Sequence, residues 1–251
     1  MKKTLVIEPI FTDVPLLERI RIAADYGFDG VEFWDCAKEN AKALGDEASD
    51  CGVEVTGCIA KGLFDGHLNR SYSDVKTTFL ESLKYMADLR CRSLLFFPGN
   101  INKHVDAQKC LIIENLRKLA PVAKDEGVTI FIEPINSIVD SIGHYLDSTQ
   151  TAAEIVRCVD HDNVKMIYDI YHMQVMEGNI MQNIRDHIDL IKHFHSAGVP
   201  GRHEHQLGEL DYPRVINFIK SLGYTGYFGV EYFPSYDHRQ SLKDVLNYLG
   251  I

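Results

Sequence analysis

Short runs of β-branched and aromatic residues alternate with stretches of helical periodicity from one end of the chain to the other. This alternation predicts repeated strand and helix units around a parallel sheet. Eight strands are predicted, over 5–10, 30–34, 54–60, 93–98, 128–135, 164–171, 191–197 and 227–233. Amphipathic helices are predicted between and after them, over 15–26, 37–50, 73–89, 107–125, 149–159, 180–190, 213–222 and 242–249. Glycines close several helices just ahead of a strand, as in Tyr26-Gly27-Phe28, Cys51-Gly52-Val53, Glu126-Gly127-Val128 and Leu222-Gly223-Tyr224. Units of about 31 residues have the size of a strand plus its crossover helix. No shift in composition marks a boundary, so the pattern predicts an α/β fold, a single closed (β/α)8 TIM barrel over 1–251. An open doubly wound sheet is the rival, but no G-x-G-x-x-G follows the first strand.

Composition narrows the partners. The 26 Lys and Arg against 36 Asp and Glu give a net charge of −10, which offers no attraction to phosphate backbones, so no nucleic-acid partner is expected. No stretch approaches the roughly 20 apolar residues of a membrane span, and the apolar start is too short and too charged for an export signal. The six cysteines are scattered without a C-x-x-C pair and read as reduced thiols of a cytoplasmic protein.

In a barrel of this kind the chemistry sits where strands lead into the following helices. The last four strands each reach an acid or a histidine there: Phe131-Ile132-Glu133, Ile167-Tyr168-Asp169, His193-Phe194-His195 and Gly229-Val230-Glu231. Asp169 alone could cap a turn and His195 alone could be a core histidine. Glu133 and Glu231 follow continuous apolar sequence, where a carboxylate must be offset by a cation, an ion-pair partner or neutralisation. On adjacent strands the four converge near the barrel axis. Three carboxylates and one imidazole suit one divalent ion, Mn²⁺ or Mg²⁺ first, with Co²⁺ or Zn²⁺ as alternatives, over a thiolate-type zinc site. Two glutamates beside a metal suggest proton transfer next to a carbonyl, one taking a proton and the other returning one.

The motifs Glu133-Pro134-Ile135-Asn136, Tyr168-Asp169-Ile170-Tyr171-His172-Met173-Gln174, Gly198-Val199-Pro200-Gly201-Arg202-His203-Glu204 with Gly208-Glu209-Leu210-Asp211-Tyr212, and Gly229-Val230-Glu231-Tyr232 occur in that order. Over its whole length the chain resembles hydroxypyruvate isomerase-type members of the xylose isomerase-like barrel superfamily. The resemblance implies that Glu133, Asp169, His195 and Glu231 bind the metal and that Glu133 and Glu231 are the acid/base pair. It implies a small sugar or hydroxy-carbonyl substrate and a homodimer or homotetramer. One departure bears on the reaction: that family carries glutamine where His195 stands, whereas the related ketose 3-epimerases carry histidine. The loop around Arg202 follows the isomerase pattern, except that His205-Gln206-Leu207 replaces a usual Pro-Gly turn.

Further candidates surround these. Arg202 and Glu204 lie in the glycine-rich loop after strand seven, where a guanidinium can grip a carboxylate or hydroxyls; a surface arginine paired with Glu204 or Glu209 is the plainer reading. The resemblance makes His172, three residues after Asp169, a substrate contact or a neutral histidine supporting the residues that are, and His193 reads as a filler deeper in the barrel. His67, with Lys61 and Arg70, falls in a segment after strand three suited to a lid, and Trp34 is placed to wall the pocket or to pack in the core. Two other classes share this architecture: an endonuclease acting at abasic sites, and a barrel that binds sugar or metal without turnover.

Overall fold

A computed structural model of the chain describes residues 1–63, 68–102 and 104–251. Its strands are β1 (Lys2–Val6), β2 (Gly30–Phe33), β3 (Glu54–Ile59), β4 (Ser93–Leu95), β5 (Thr129–Ile132), β6 (Val164–Asp169), β7 (Ile191–Ser196) and β8 (Tyr227–Val230). All neighbouring pairs are parallel, and β1 pairs with β8, so the sheet closes into a barrel in sequence order. The helices are α1 (Leu16–Asp25), α2 (Ala41–Asp50), α3 (Tyr72–Leu89), α4 (Val105–Asp125), α5 (Thr149–Val159), α6 (Ile170–Met176), α7 (Ile180–His187), α8 (Tyr212–Ser221) and α9 (His238–Leu249). The predicted barrel is therefore the observed architecture.

Local chemistry sets the helix ends. Ser71, Ser148, Asp211 and Asp237 cap α3, α5, α8 and α9 by accepting from the backbone N–H three residues on. Gly127, with φ of +66°, follows α4 in the left-handed region that glycine adopts without strain. The amphipathic helices bury one face against the strands, and residues such as Ile20, Leu44, Phe79, Leu116, Ile155 and Ile216 fill that outer layer.

Several strands stop earlier than the apolar runs predict. The runs over 5–10, 93–98, 128–135 and 227–233 yield ladders ending at Val6, Leu95, Ile132 and Val230. Each is followed within four residues by a proline, Pro9, Pro98, Pro134 or Pro234, which has no N–H to donate to a ladder. The remaining apolar residues fold over the barrel mouth: Ile7, Ile10, Phe97 and Ile135 are buried outside any strand. The run predicted as a strand through 171 instead turns into α6 after Asp169, whose carboxylate accepts from Tyr171 N and His172 N. Among the described residues, no helix is long and apolar enough to cross a membrane.

Candidate metal and proton-transfer site

Register brings the four strand-end groups together. Asp169 pairs with His195 across β6 and β7, and His195 with Gly229 across β7 and β8, while Glu133 and Glu231 follow β5 and β8 directly. One donor atom from each of Glu133, Asp169, His195 and Glu231 lies within 4.8 Å of all the others, and all four residues are buried. His195 Nδ1 is 2.9 Å from Glu133 Oε1 and 3.4 Å from Glu231 Oε2. Burial, then the charge of Glu133, pushes the Asp169 carboxyl up. Burial would depress the His195 imidazole, but Glu32, Glu133 and Glu231 raise it well above its ordinary value.

This donor set fits a divalent cation. Ligands at the roughly 2.0–2.6 Å typical of hard cations stand no more than about 5 Å apart across the ion, as these atoms do. Three buried carboxylates facing one imidazole carry an excess of negative charge that a cation relieves. Oxygen donors with one nitrogen and no thiolate are the chemistry of magnesium, manganese or cobalt sites.

A fourth buried carboxylate, not singled out in the sequence, adjoins these donors. Glu32, in the middle of β2, is 2.9 Å from His193 Nε2 and 3.1 Å from His195 Nε2. Burial would raise its carboxyl, yet the two imidazoles hold it far below the usual range. Glu32 therefore engages Nε2 of His195 and leaves Nδ1 facing Glu133 and Glu231. Two glycines make room for this arrangement. A Cβ at Gly229 would come within 2.6 Å of His195 Cδ2, and one at Gly57 within 2.9 Å of Glu32 Oε2. His193 is thus a partner of Glu32 and not mere filler. A glutamate within the apolar run Val31-Glu32-Phe33 is the same signal that marked Glu133.

The rim is built around Glu231. Trp34 Nε1 donates to Glu231 Oε1 at 2.6 Å, and Arg202 Nη2 pairs with Glu231 Oε2 at 2.9 Å. Arg202 itself sits at φ +59° after Gly201 at +92°, and its carbonyl accepts from Phe233 N, so a strained turn held from behind aims the guanidinium inward. Its planar group stands 5.4 Å from the Tyr171 ring and 5.8 Å from that of Phe233. Arg202 Nε is buried without a partner among the described residues. His172 is held by Asn136 Nδ2 at 2.7 Å from its Nδ1, with Nε2 3.5 Å from Asp169 Oδ2. Burial, reinforced by Arg202, keeps this imidazole neutral by lowering it well below its ordinary value.

Two candidates are placed differently. Glu204 does not line the cavity: its carboxylate accepts from Ser235 N, Ser235 Oγ and Ser241 Oγ, tying the loop to α9 and the segment before it. His67 lies outside the described residues, and Lys61 beside that segment pairs with Glu81 on α3. Trp34, Glu133, His172, His195, Arg202 and Glu231 border one cavity of about 250 Å³, which Asp169 does not line, and an apolar wall borders the rest of it.

A family model described as xylose isomerase-like TIM barrel matches residues 20–249. A 2-oxo-tetronate isomerase of Pectobacterium atrosepticum is 32% identical over 235 residues, 90% of this chain and 89% of that protein. A Homo sapiens protein named "Putative hydroxypyruvate isomerase" is 30% identical over 245 residues, 92% and 88% of the respective chains. A crystal structure described as an AP endonuclease, family 2, from Brucella melitensis has a TM-score of 0.92 at 29% identity and covers 99% of each chain.

Proposed function

The chain belongs to the xylose isomerase-like TIM barrel family, and from that premise we propose that it is a metal-dependent isomerase of small 2-oxo-3-hydroxy acids. The relatives named as 2-oxo-tetronate and hydroxypyruvate isomerases support this class of reaction. The observation that carries it is the meeting of two glutamates from separate strands, Glu133 and Glu231, at one imidazole that lines the cavity.

Glu133, Asp169, His195 and Glu231 would hold one divalent ion, magnesium or manganese by donor type. When bound, it supplies positive charge beside the substrate oxygens on which negative charge develops. The chain's own groups do the rest. Arg202, with its free Nε, receives a substrate oxygen or carboxylate. His172, held neutral, offers or accepts a hydrogen bond without adding charge. One glutamate removes the proton from C3, the hydroxyl proton passes between O3 and O2, and a proton returns to C2. The enediolate of the substrate lies between these steps, and a 2-hydroxy-3-oxo acid is the product. Trp34 and Arg202 hold both oxygens of Glu231, which fixes its aim.

A ketose 3-epimerase is the second reading, favoured by the imidazole of His195 among the donors; there a proton leaves and re-enters the same carbon from opposite faces. Deuterium incorporation from D₂O in the magnesium-loaded protein distinguishes the two, by whether label accompanies movement of the carbonyl or inversion at one centre. No metal-dependent label in any 2-oxo-3-hydroxy acid or ketose would overturn both. The description of the Brucella protein raises a hydrolytic reading. The net charge of −10 argues against a phosphate backbone as partner, as does a cavity in which Arg202 is the cationic lining residue among those described. No cleavage of abasic duplex is expected.

A further inference from the structure

We propose that the substrate ends in a hydrocarbon tail, an inference that rests on the isomerase reading and concerns the apolar part of the cavity wall. There Ile59, Leu95, Phe97, Phe131, Ile135 and Ile167 form one contiguous buried cluster, against which Trp34 and Leu63 pack. All six line the cavity, and they come from β3, β4, β5, β6 and the residues that follow β4 and β5. None of these side chains can donate or accept a hydrogen bond.

Size makes this wall matter. An apolar cavity of about 150 Å³ is enough for benzene, so about 250 Å³ holds more than the seven heavy atoms of hydroxypyruvate. With the 2-oxo-3-hydroxy head at Glu133, Glu231 and Arg202, whatever is attached at C3 lies along the wall. Against these six side chains a hydroxyl gives up water and gains no partner from them, a penalty on the order of tenfold or more. A methylene there gains about fourfold. The geometry therefore favours R–CHOH–CO–COO⁻ with R a short alkyl group over R = CH₂OH, the tail of 2-oxo-tetronate itself.

The test is a matched pair with equal heavy-atom count: 3-hydroxy-2-oxopentanoate, with an ethyl tail, against 2-oxo-tetronate. kcat/KM for deuterium exchange at C3 is read by NMR with magnesium-loaded protein, and binding of each acid by calorimetry under the same conditions. The ethyl compound is expected to lead by about tenfold or more, and Ile135→Thr, which puts a hydroxyl into the wall, to cut that ratio several-fold. Because the ratio is taken within one preparation, a partly unfolded variant does not distort it. Equal or faster exchange with 2-oxo-tetronate, or a ratio that Ile135→Thr leaves unchanged, overturns the inference and leaves the isomerase reading standing. Exchange in neither acid, with the ethyl compound still binding at least tenfold tighter, overturns the isomerase reading and keeps the apolar subsite. Exchange in neither with no difference in binding overturns both.

Discussion

The two halves of the cavity are built on the same barrel mouth by opposite means. Toward β5–β8, joined by Glu32 of β2, the groups Glu32, Glu133, Asp169, His195 and Glu231 are buried ionisable residues held by hydrogen bonds and ion pairs. Toward β3–β6, Ile59, Leu95, Phe131 and Ile167 meet the cavity with surfaces that have no preferred partner. A buried charge that loses one partner is left uncompensated, whereas a truncated aliphatic side chain leaves a void. The first half should therefore fail in chemistry at the loss of single atoms, and the second in stability at the loss of whole groups.

The largest effect expected is on proton transfer. Glu133→Gln and Glu231→Gln keep shape but remove the carboxylate, and each should lower metal-dependent deuterium exchange about 10²–10⁴-fold while the far-UV circular dichroism is unchanged. Exchange within tenfold of the parent in both variants would sink the two-glutamate mechanism. On the apolar wall, Leu95→Ala should cost about 2–5 kcal/mol of unfolding free energy in a urea titration. Exchange per folded molecule should stay within about tenfold. Should Leu95→Ala instead abolish exchange at unchanged stability, the division between the halves would be wrong.

Glu32 tests the boundary between the halves, because it reaches the donors only through His195. Glu32→Gln keeps the volume between Gly57 and Gly229 but gives up the charge that faces both imidazoles. Partners of this kind are worth about 10–100-fold in metal affinity. Calorimetric titration of the folded variant with Mn²⁺ should show a loss of that size, beside a loss of stability from leaving the two imidazoles without their carboxylate. Unchanged affinity would reduce Glu32 to a structural buried carboxylate.

How much of this could be read from the chain follows from what each residue's neighbours in sequence reveal. Glu133 and Glu231 were legible because a carboxylate directly after Phe131-Ile132 or Gly229-Val230 has no local compensation. The same signal at Glu32 went unread because its partners, His193 and His195, are about 160 positions away. Strand ends overran wherever a proline lay a few residues past the ladder, since Ile7, Phe97 and Ile135 are as apolar in a covering loop as in a strand. Glu204 resembled a pocket residue by its glycine-rich surroundings. Only the packing of its loop against the segment after β8 reveals that Ser235 and Ser241 take up both its oxygens. The apolar wall was hidden for a related reason. Its six members are scattered from 59 to 167 and look individually like ordinary core.

The last effect separates the carboxylate half from what supports it. His205 lies behind the loop that carries Arg202, with Nε2 3.0 Å from Ser196 Oγ, and that hydroxyl in turn donates to the Gly229 carbonyl. Nε2 must then be the nitrogen that carries the hydrogen, and Nδ1, buried without a partner among the described residues, holds a lone pair. A proton added at Nδ1 would find nothing to receive it, and burial pushes the imidazole down to about 3. Between that value and the ordinary value near 6.5 the unfolded chain binds a proton that the folded chain does not. Stability is therefore fully present above about pH 6.5 and falls as pH drops, by about 1.4 kcal/mol per pH unit. Other acid-sensitive groups contribute to the total, so the measurement is a difference: urea unfolding of the parent and of His205→Leu at pH 7, 6, 5 and 4. The parent should lose stability more steeply than the variant below pH 6.5, and the gap between the curves should close with that slope. Parallel curves would mean that His205 is not held neutral, and that the loop carrying Arg202 is anchored by Glu204 and its serines alone.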